Sequence, residues 1–410
     1  MKVKARLKKV ESIRALRHRN FRILYPASVL SHTGTWAQRI AQDWLVLELT
    51  QSPLALGIVT ALQFAPTLFF STMGGVLADR FDKRKLLFIS NAASGLIALL
   101  LGLLVLSGSV EIWHVYALAF GLGIFSALDA PIRQTFTSEL VPVDDVPNAI
   151  SLNSINFNIG RLIGPGVSGI LIAAFGTGPS FLINAFSYLT MLFALGSIRS
   201  KDLNIEPKPK DKIKLKVSIE YLGTRKDLQL IILLVFMAAT FGMNYQIFNA
   251  LMATDVFKMG PTEFGGLGTF LAIGSLTGAM LSSRLERFRT PKYIAAGMTL
   301  FGLSLAALSI SPNYGIYSLL LPIGGLMAIM SFIAANTYVQ TTTEPAVRGR
   351  VIGIYMMVMM GGTPLGSPLI GWVSEVFGIR IAILGCGLIT ALVSVAVLLF
   401  LANRNVHKQD

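Results

Sequence analysis

Gly75-Val76-Leu77-Ala78-Asp79-Arg80-Phe81-Asp82-Lys83-Arg84 separates two long apolar runs and carries five charged side chains in its last six residues. Charges packed this densely are excluded from hydrocarbon, whereas the flanking runs, about 53–77 and 85–107, are each long enough to cross a ~30 Å layer. The decapeptide is therefore the surface turn of a membrane hairpin, short enough to act as a hinge or clamp.

The same alternation extends over the whole chain. Of 410 residues 53% are hydrophobic and 14% charged, and the mean hydropathy is +0.64, too apolar for an ordinary soluble surface. Apolar runs separated by short polar turns recur at roughly 22–48, 53–77, 85–107, 112–134, 148–175, 179–197, 228–254, 264–283, 292–310, 314–339, 347–376 and 380–402. The net charge of +14 is not a nucleic-acid signature, because the basic residues follow the turns instead of gathering on one face. They collect before run 1, between runs 2 and 3, 4 and 5, 6 and 7, 8 and 9, 10 and 11, and after run 12. Only Arg39 and Arg161 lie well inside runs, and Lys258 and Arg380 fall in the opposite loops. That asymmetry places both termini in the cytoplasm.

Residues 1–21 form a basic cytoplasmic segment, a topogenic flank with some capacity for anionic lipid. They are not a cleavable signal, since the apolar stretch behind them is long and contains Arg39 and Asp43. The expected divisions are a six-helix bundle at 22–197, an interbundle linker at 198–227 containing Pro207 and Pro209, a second bundle at 228–402, and a cytoplasmic tail at 403–410. Cys386 is the single cysteine, which excludes a disulfide framework or Cys-rich metal site. No GxxxxGK[ST], HExxH or GxSxG pattern is present, so neither direct ATP use nor hydrolytic chemistry is expected, and no cofactor is implied.

Ionisable groups at membrane depth are functional candidates by default. Arg39 and Asp43 stand four apart on one face of run 1, where a carboxyl beside a guanidinium can change proton occupancy or simply form a structural pair. Asp129 and Arg133 repeat the spacing near the cytoplasmic end of run 4. Arg161, near mid-depth in run 5, needs an acceptor: a carboxylate, a substrate anion or backbone carbonyls. His32 reads as a helix-packing histidine or a proton shuttle. The second half has no ionisable residue well inside a run. A cavity for a bulky amphipathic solute is drawn instead from Gln38, Gln63, Phe64 and Asn156 in the first half and Asn244, Tyr245, Phe248 and Asn336 in the second.

The halves echo one another. Gly278-Ala279-Met280-Leu281-Ser282-Ser283-Arg284 keeps the Gly-to-Arg spacing of Gly74 to Arg80 without its acidic residue, and Gly160-Arg161-Leu162-Ile163-Gly164-Pro165-Gly166-Val167-Ser168-Gly169 pairs with the Gly/Pro-rich stretch from Gly361 to Gly371. Glycines four apart let a neighbouring backbone approach, and Pro165 permits a kink.

The turn from Gly75 to Arg84 resembles the loop between helices 2 and 3 of major facilitator superfamily transporters, departing at Asp82, where many members carry Gly. That departure is frequent in the enterobactin-exporter-like and macrolide-efflux-like branch, which Leu128-Asp129-Ala130-Pro131-Ile132-Arg133-Gln134 also resembles. The resemblance implies an all-α membrane protein of twelve transmembrane helices in two pseudo-symmetric six-helix bundles. It implies a cytoplasmic gate of Gly75, Asp79, Arg80, Lys83, Arg84 and Arg133, with Asp79 set against helix 11 and the basic residues reaching for carboxylates, Asp129 foremost. Gly160, Gly164, Pro165 and Gly169 resemble the helix-5 motif of antiporter members. The activity so implied is export of lipophilic drugs, antibiotics or siderophore-like molecules by alternating access, in exchange for protons carried at Asp43 with Arg39, Asp129 and Arg161. Expected partners are the solute, protons and membrane lipid around a monomer in a bacterial inner membrane. An importer, facilitator or lysolipid flippase of the same fold is the alternative; a non-transporting receptor is the alternative from another class.

Overall fold

A computed structural model describes residues 13–204, 215–282 and 290–406. Among them all regular structure is helical. The long helices are α1 (Arg19–Thr50), α2 (Pro53–Arg80), α3 (Lys83–Leu106), α4 (Ile112–Glu139), α5 (Val146–Phe175), α6 (Gly178–Gly196), α7 (Lys226–Val256), α8 (Pro261–Ser282), α9 (Pro291–Ser309), α10 (Tyr314–Thr342), α11 (Arg348–Phe377) and α12 (Ile379–Val406), with a short helix, Leu215–Thr224, before α7. Ten are long and apolar enough to cross a membrane. The other two, α1 and α11, span 32 and 30 residues. The expected linker is helical from Leu215; residues 205–214 and 283–289 lie outside the described residues.

The turns explain where helices begin. Asp82 extends at φ −63°, ψ 113° and its carboxylate accepts from the Lys85 N–H at 3.2 Å, so the residue that departs from the loop pattern is the N-cap of α3. Thr290 and Asn313 cap α9 and α10 in the same way. Run 7 is not one continuous α-helix. It passes through π turns at Ala238–Gly242 and Met252–Val256, closed by Met243 N–H to the Ala238 carbonyl and Phe257 N–H to the Met252 carbonyl, and it breaks at Asn244.

Two compact units divide the chain, the first of Met1–Leu45 and Ala65–Pro209, the second of Val46–Phe64 and Lys210–Asp410. In the first, a buried core of Phe21, Ala78, Leu87, Ile132, Phe136, Leu152 and Leu195 draws on α1 to α6 at the basic end of the helices. Gly95 and Gly102 let α3 close on Tyr188 and Leu182 of α6. The turn Arg14–Arg17 docks beside α5 through Arg14 to Asp145 at 2.6 Å and the Ala15 N–H to Asn148 at 2.9 Å.

The second unit packs its helices in the corresponding order. Gly302 of α9 and Gly387 of α12 face one another's backbones, as small residues must where lipid supplies no hydrophobic drive for association. A Cβ on Gly74 would meet Leu128 of α4, and one on Gly278 would meet Leu326 of α10. Likewise Gly160 and Gly164 of α5 lie on His32, Thr33 and Trp36 of α1, while Gly362 and Gly366 of α11 lie on Ala239 and Thr240 of α7. The sequence echoes between halves are therefore echoes of helix contact.

Candidate functional site

Most charged candidates lie in the first unit. On α1, His32, Trp36, Arg39 and Asp43 follow the i, i+4, i+7, i+11 spacing of one helix face. The Arg39 guanidinium lies 4.8 Å above the Trp36 ring and within electrostatic range of Asp43, which is fully buried. Phe157 of α5 meets both His32 and Trp36 edge-on, with centroids 5.7 and 5.9 Å away. The adjoining face of α1 is tied inward: Asn184 Nδ2 donates to Gln38 Oε1 at 2.6 Å and Ser168 Oγ to the Ala37 carbonyl at 2.8 Å. Asn156 sits one turn before Gly160, completely buried.

One turn beyond Phe157, Arg161 is half-buried and has no hydrogen-bond or ion-pair partner among the described residues. Hydrogen-bonding a guanidinium demands an acceptor, since it has five donors and cannot shed its charge. Of the acceptors open to it from the sequence, a carboxylate on a neighbouring helix is not the one found.

Asp129 and Arg133 form a closed network with α3. Arg133 Nε and Nη2 donate to the two Asp129 carboxylate oxygens at 2.7 and 3.0 Å, the planar fork on a same-helix carboxylate. Ser90 Oγ and Asn91 Nδ2 add bonds to Asp129 Oδ1 at 3.1 and 2.9 Å, and Arg133 Nη2 reaches Asn91 Oδ1 at 3.3 Å. This corrects the expected pairing of Asp129 with the loop's basic residues: its acceptor sites are filled from α3 and α4. Ser90 and Asn91 were not singled out, although a Ser-Asn pair inside apolar run 3 is a readable signal.

The loop is held by other groups. Lys83 pairs with Glu139 at the end of α4. Arg84 donates to the carbonyls of Leu195 and Gly196 at 2.6 and 2.7 Å, capping the negative end of α6. Asp79 and Arg80 remain exposed at the end of α2. Gly75 has nothing within 4 Å of where a Cβ would stand; the glycine of helix contact is Gly74, whose Cβ would lie 2.7 Å from Pro131 and 2.8 Å from the Leu128 carbonyl. In α5, Gly160, Gly164, Pro165 and Gly169 are all buried, with Gly160 and Gly164 seated on α1 as described.

The amide and aromatic residues expected to line a cavity are mostly enclosed. Gln38, Asn156, Asn244, Tyr245 and Phe248 are no more than 5% exposed, so they form the interior of their units in this conformation. Asn336 is half-buried and accepts from Gln340; Gln63 and Phe64 are also half-buried. In the second unit a different network was not legible: Arg225 forks onto Asp227 at 2.9 and 2.7 Å, Tyr338 donates to Asp227 at 2.9 Å, and Tyr221 accepts from Arg225 at 2.7 Å. The carboxylate bond holds the Arg225 guanidinium above its ordinary pKa. Among the described residues no cluster of His, Cys, Asp or Glu could hold a metal.

With that geometry in view, residues 11–410 match the family described as transmembrane secretion effector, a branch of the major facilitator superfamily. The chain belongs to that family. It is therefore an integral membrane transporter and not an enzyme. A staphyloferrin A transporter of Staphylococcus aureus is 27% identical over 358 residues, covering 87% of this chain and 89% of its own. An enterobactin exporter, EntS, of Shigella boydii is 23% identical, with 86% and 85% covered. Among solved structures, an inward-facing, unoccupied bacterial homologue of the human lysosomal transporter Spinster superposes with a TM-score of 0.76 at 15% identity, covering 93% of this chain and 97% of that one. The nucleoside transporter NupG gives 0.71 at 12% identity, covering 92% and 98%. These likenesses confirm the all-α major facilitator fold.

Proposed function

We propose that this transporter exports siderophore-like small molecules bearing anionic oxygens, in exchange for protons, by alternating access through twelve crossings arranged as two six-helix halves in a bacterial inner membrane. The observation that carries the substrate reading is Arg161: a fixed positive charge in a spanning helix, half-buried, with no acceptor among the described residues. Leaving such a charge without a counter-charge is costly at membrane depth, and a solute that arrives with its own carboxylate or phenolate removes the cost. A siderophore has that chemistry, because iron(III) is chelated by anionic oxygens, and the named relatives handle such compounds. Proton exchange is assigned to Asp43, whose full burial beside Arg39 makes its charge state sensitive to anything that alters that neighbour. The Asp129–Arg133 network and the Lys83 and Arg84 bonds hold the cytoplasmic end of the first unit as one piece, on which the exposed Asp79 and Arg80 serve the gate.

The test is uptake of staphyloferrin A and of enterobactin into proteoliposomes under an imposed pH gradient with the membrane potential clamped. Arg161→Gln should lose transport of both, Arg161→Lys should keep part of it, and Asp43→Asn should lose the gradient dependence. Wild-type rates in Arg161→Gln would sink the anion reading; gradient-driven transport in Asp43→Asn would remove the coupling residue.

A further inference from the structure

The Arg225, Asp227, Tyr338 and Tyr221 network frames a groove that the transport reading does not use. Arg225 also donates to the Thr342 carbonyl at 3.1 Å, and the Glu344 N–H donates to the Tyr221 hydroxyl at 3.3 Å. The short helix Leu215–Thr224 is thereby pinned beside the end of α10 and the turn that leads into α11. Gln229 of α7 donates from Nε2 to the carbonyls of Leu222 and Gly223 at 2.7 and 2.9 Å, capping the C-terminal end of that helix. Beside this contact lies a groove of about 460 Å³. Ile232, Leu233 and Phe236 of α7 form one wall and Ile354 and Val358 of α11 the other, with Leu222 and Gly223 at its end.

The groove faces lipid. Ile354 and Val358 share a side of α11 with Leu365, Leu369 and Trp372, all exposed, whereas α2 packs on a different side, at Ser367 and Gly371. Large apolar side chains left outside a spanning helix, with a Trp towards its end, are the mark of contact with hydrocarbon. On α7, Lys226 and Gln229 are exposed and precede the exposed Leu233 on one side of the helix. From Lys226 to Ile232 is a rise of about 9 Å, close to the roughly 5–8 Å depth of a headgroup layer. Arg350 stands one turn before Ile354 and two before Val358. Lys226 and Arg350 have no hydrogen-bond or ion-pair partner among the described residues, whereas the neighbouring Arg348 donates to the Thr343 carbonyl at 3.2 Å. Asp227 is taken by Arg225, and Glu344, on the turn before α11, pairs with neither cation.

We propose that this groove binds one anionic phospholipid, its phosphate between Lys226 and Arg350 and an acyl chain along Ile232, Phe236, Ile354 and Val358. Cations at a membrane surface attract anionic headgroups, and a phosphate accepts charge-assisted hydrogen bonds from both. A zwitterionic lipid carries its own ammonium and gains less from them. The bound lipid joins the end of the interbundle linker to α7 and α11. The site is separate from Arg161 and Asp43 and does not rest on the nature of the transported solute.

The experiment is native mass spectrometry of the purified full-length transporter, titrated with phosphatidylglycerol or with phosphatidylcholine of the same acyl chains. The expected result is one phosphatidylglycerol retained where phosphatidylcholine is lost. Lys226→Gln with Arg350→Gln should weaken phosphatidylglycerol binding about tenfold and leave phosphatidylcholine unchanged. Lys85→Gln with Lys201→Gln removes the same charge from exposed positions of the first unit and should change neither. Equal retention of the two lipids by the wild type overturns the proposal. A loss of the same size in the Lys85 and Lys201 control overturns it too, because the attraction is then one of net charge. Ile354→Trp fills the groove and keeps both cations, so it should also lower retention; wild-type retention there would put the chain outside the groove and refute the site. If Ile354→Trp fails to fold, glycerophosphoglycerol decides, since displacement of the lipid by this chainless headgroup at equal concentration overturns the proposal.

Discussion

Gly302→Ala tests how closely the second unit is packed. On Gly302 a methyl group would stand 2.5 Å from the Ala391 nitrogen and 2.6 Å from the Gly387 carbonyl oxygen, both backbone atoms. Neither can rotate away, so α9 and α12 must part by about 1 Å to restore ordinary contact at ~3.5 Å. A radial gap of that size forfeits about a quarter to a half of each dispersion contact along the interface, and overpacking of this kind costs about 1–3 kcal/mol. Alanine's better helix propensity returns only about 1 kcal/mol. The net expectation is a loss of up to about 2 kcal/mol, or up to roughly 8 °C in midpoint by the scaling for large domains. Cys386, the single cysteine, is 5% exposed and immediately precedes Gly387, so a thiol-reactive fluorophore on the unmodified chain reports opening of that interface directly. Gly353→Ala, on a glycine with nothing within 4 Å, is the control and should hold or raise the midpoint. An unchanged or higher midpoint in Gly302→Ala, with Cys386 labelled no faster than in wild type, would refute the close-contact reasoning.

Other perturbations have equally definite outcomes. Asp82→Ala removes the α3 cap and should cost about 1 kcal/mol, against a few tenths for Asp82→Gly, read as a thermal midpoint. Because the Asp129 and Arg133 side chains are 18% and 17% exposed, breaking their pair should cost about 2–3 kcal/mol, and a double-mutant cycle of Asp129→Asn with Arg133→Gln should return a coupling above ~1 kcal/mol. Gly160→Ala, whose methyl would lie 2.8 Å from the His32 backbone, should slow transport and lower the midpoint, whereas Gly75→Ala should leave stability unaltered or improved. Lys83→Gln should destabilise the first unit by about 1–3 kcal/mol through the unpaired Glu139, measured by Trp36 and Trp44 fluorescence on heating.

Apolar run length and the placement of basic residues carried most of the fold, because helices in lipid must satisfy their own backbones and leave a plain periodic record. The Gly/Pro echoes carried the contact between α5 and α1 and its counterpart between α11 and α7. What could not be read were choices of helix face. Gly74 and Gly75 are adjacent in the chain, yet 100° of rotation sends one into α4 and the other into open space. Asp129 looked available to the loop because its competitors, Ser90 and Asn91, are thirty-nine and thirty-eight residues away. The two π turns left no mark in hydropathy at all, since run 7 is apolar on either side of them.

Those π turns bear on how the chain tolerates changes in length. Each accommodates one residue beyond the α-helical count, so the segment Tyr245–Leu251 is rotationally indexed against what precedes and follows it. Removing one residue between 238 and 242 returns that turn to the α-helical count and keeps Asn249 facing the Tyr317 hydroxyl that donates to it at 3.0 Å, whereas adding a further residue there would swing the segment by about 100°. At this helix a single-codon insertion is thus a change of orientation for seven side chains at once, while a substitution at the same place alters one. Spacing is coded there as firmly as chemistry.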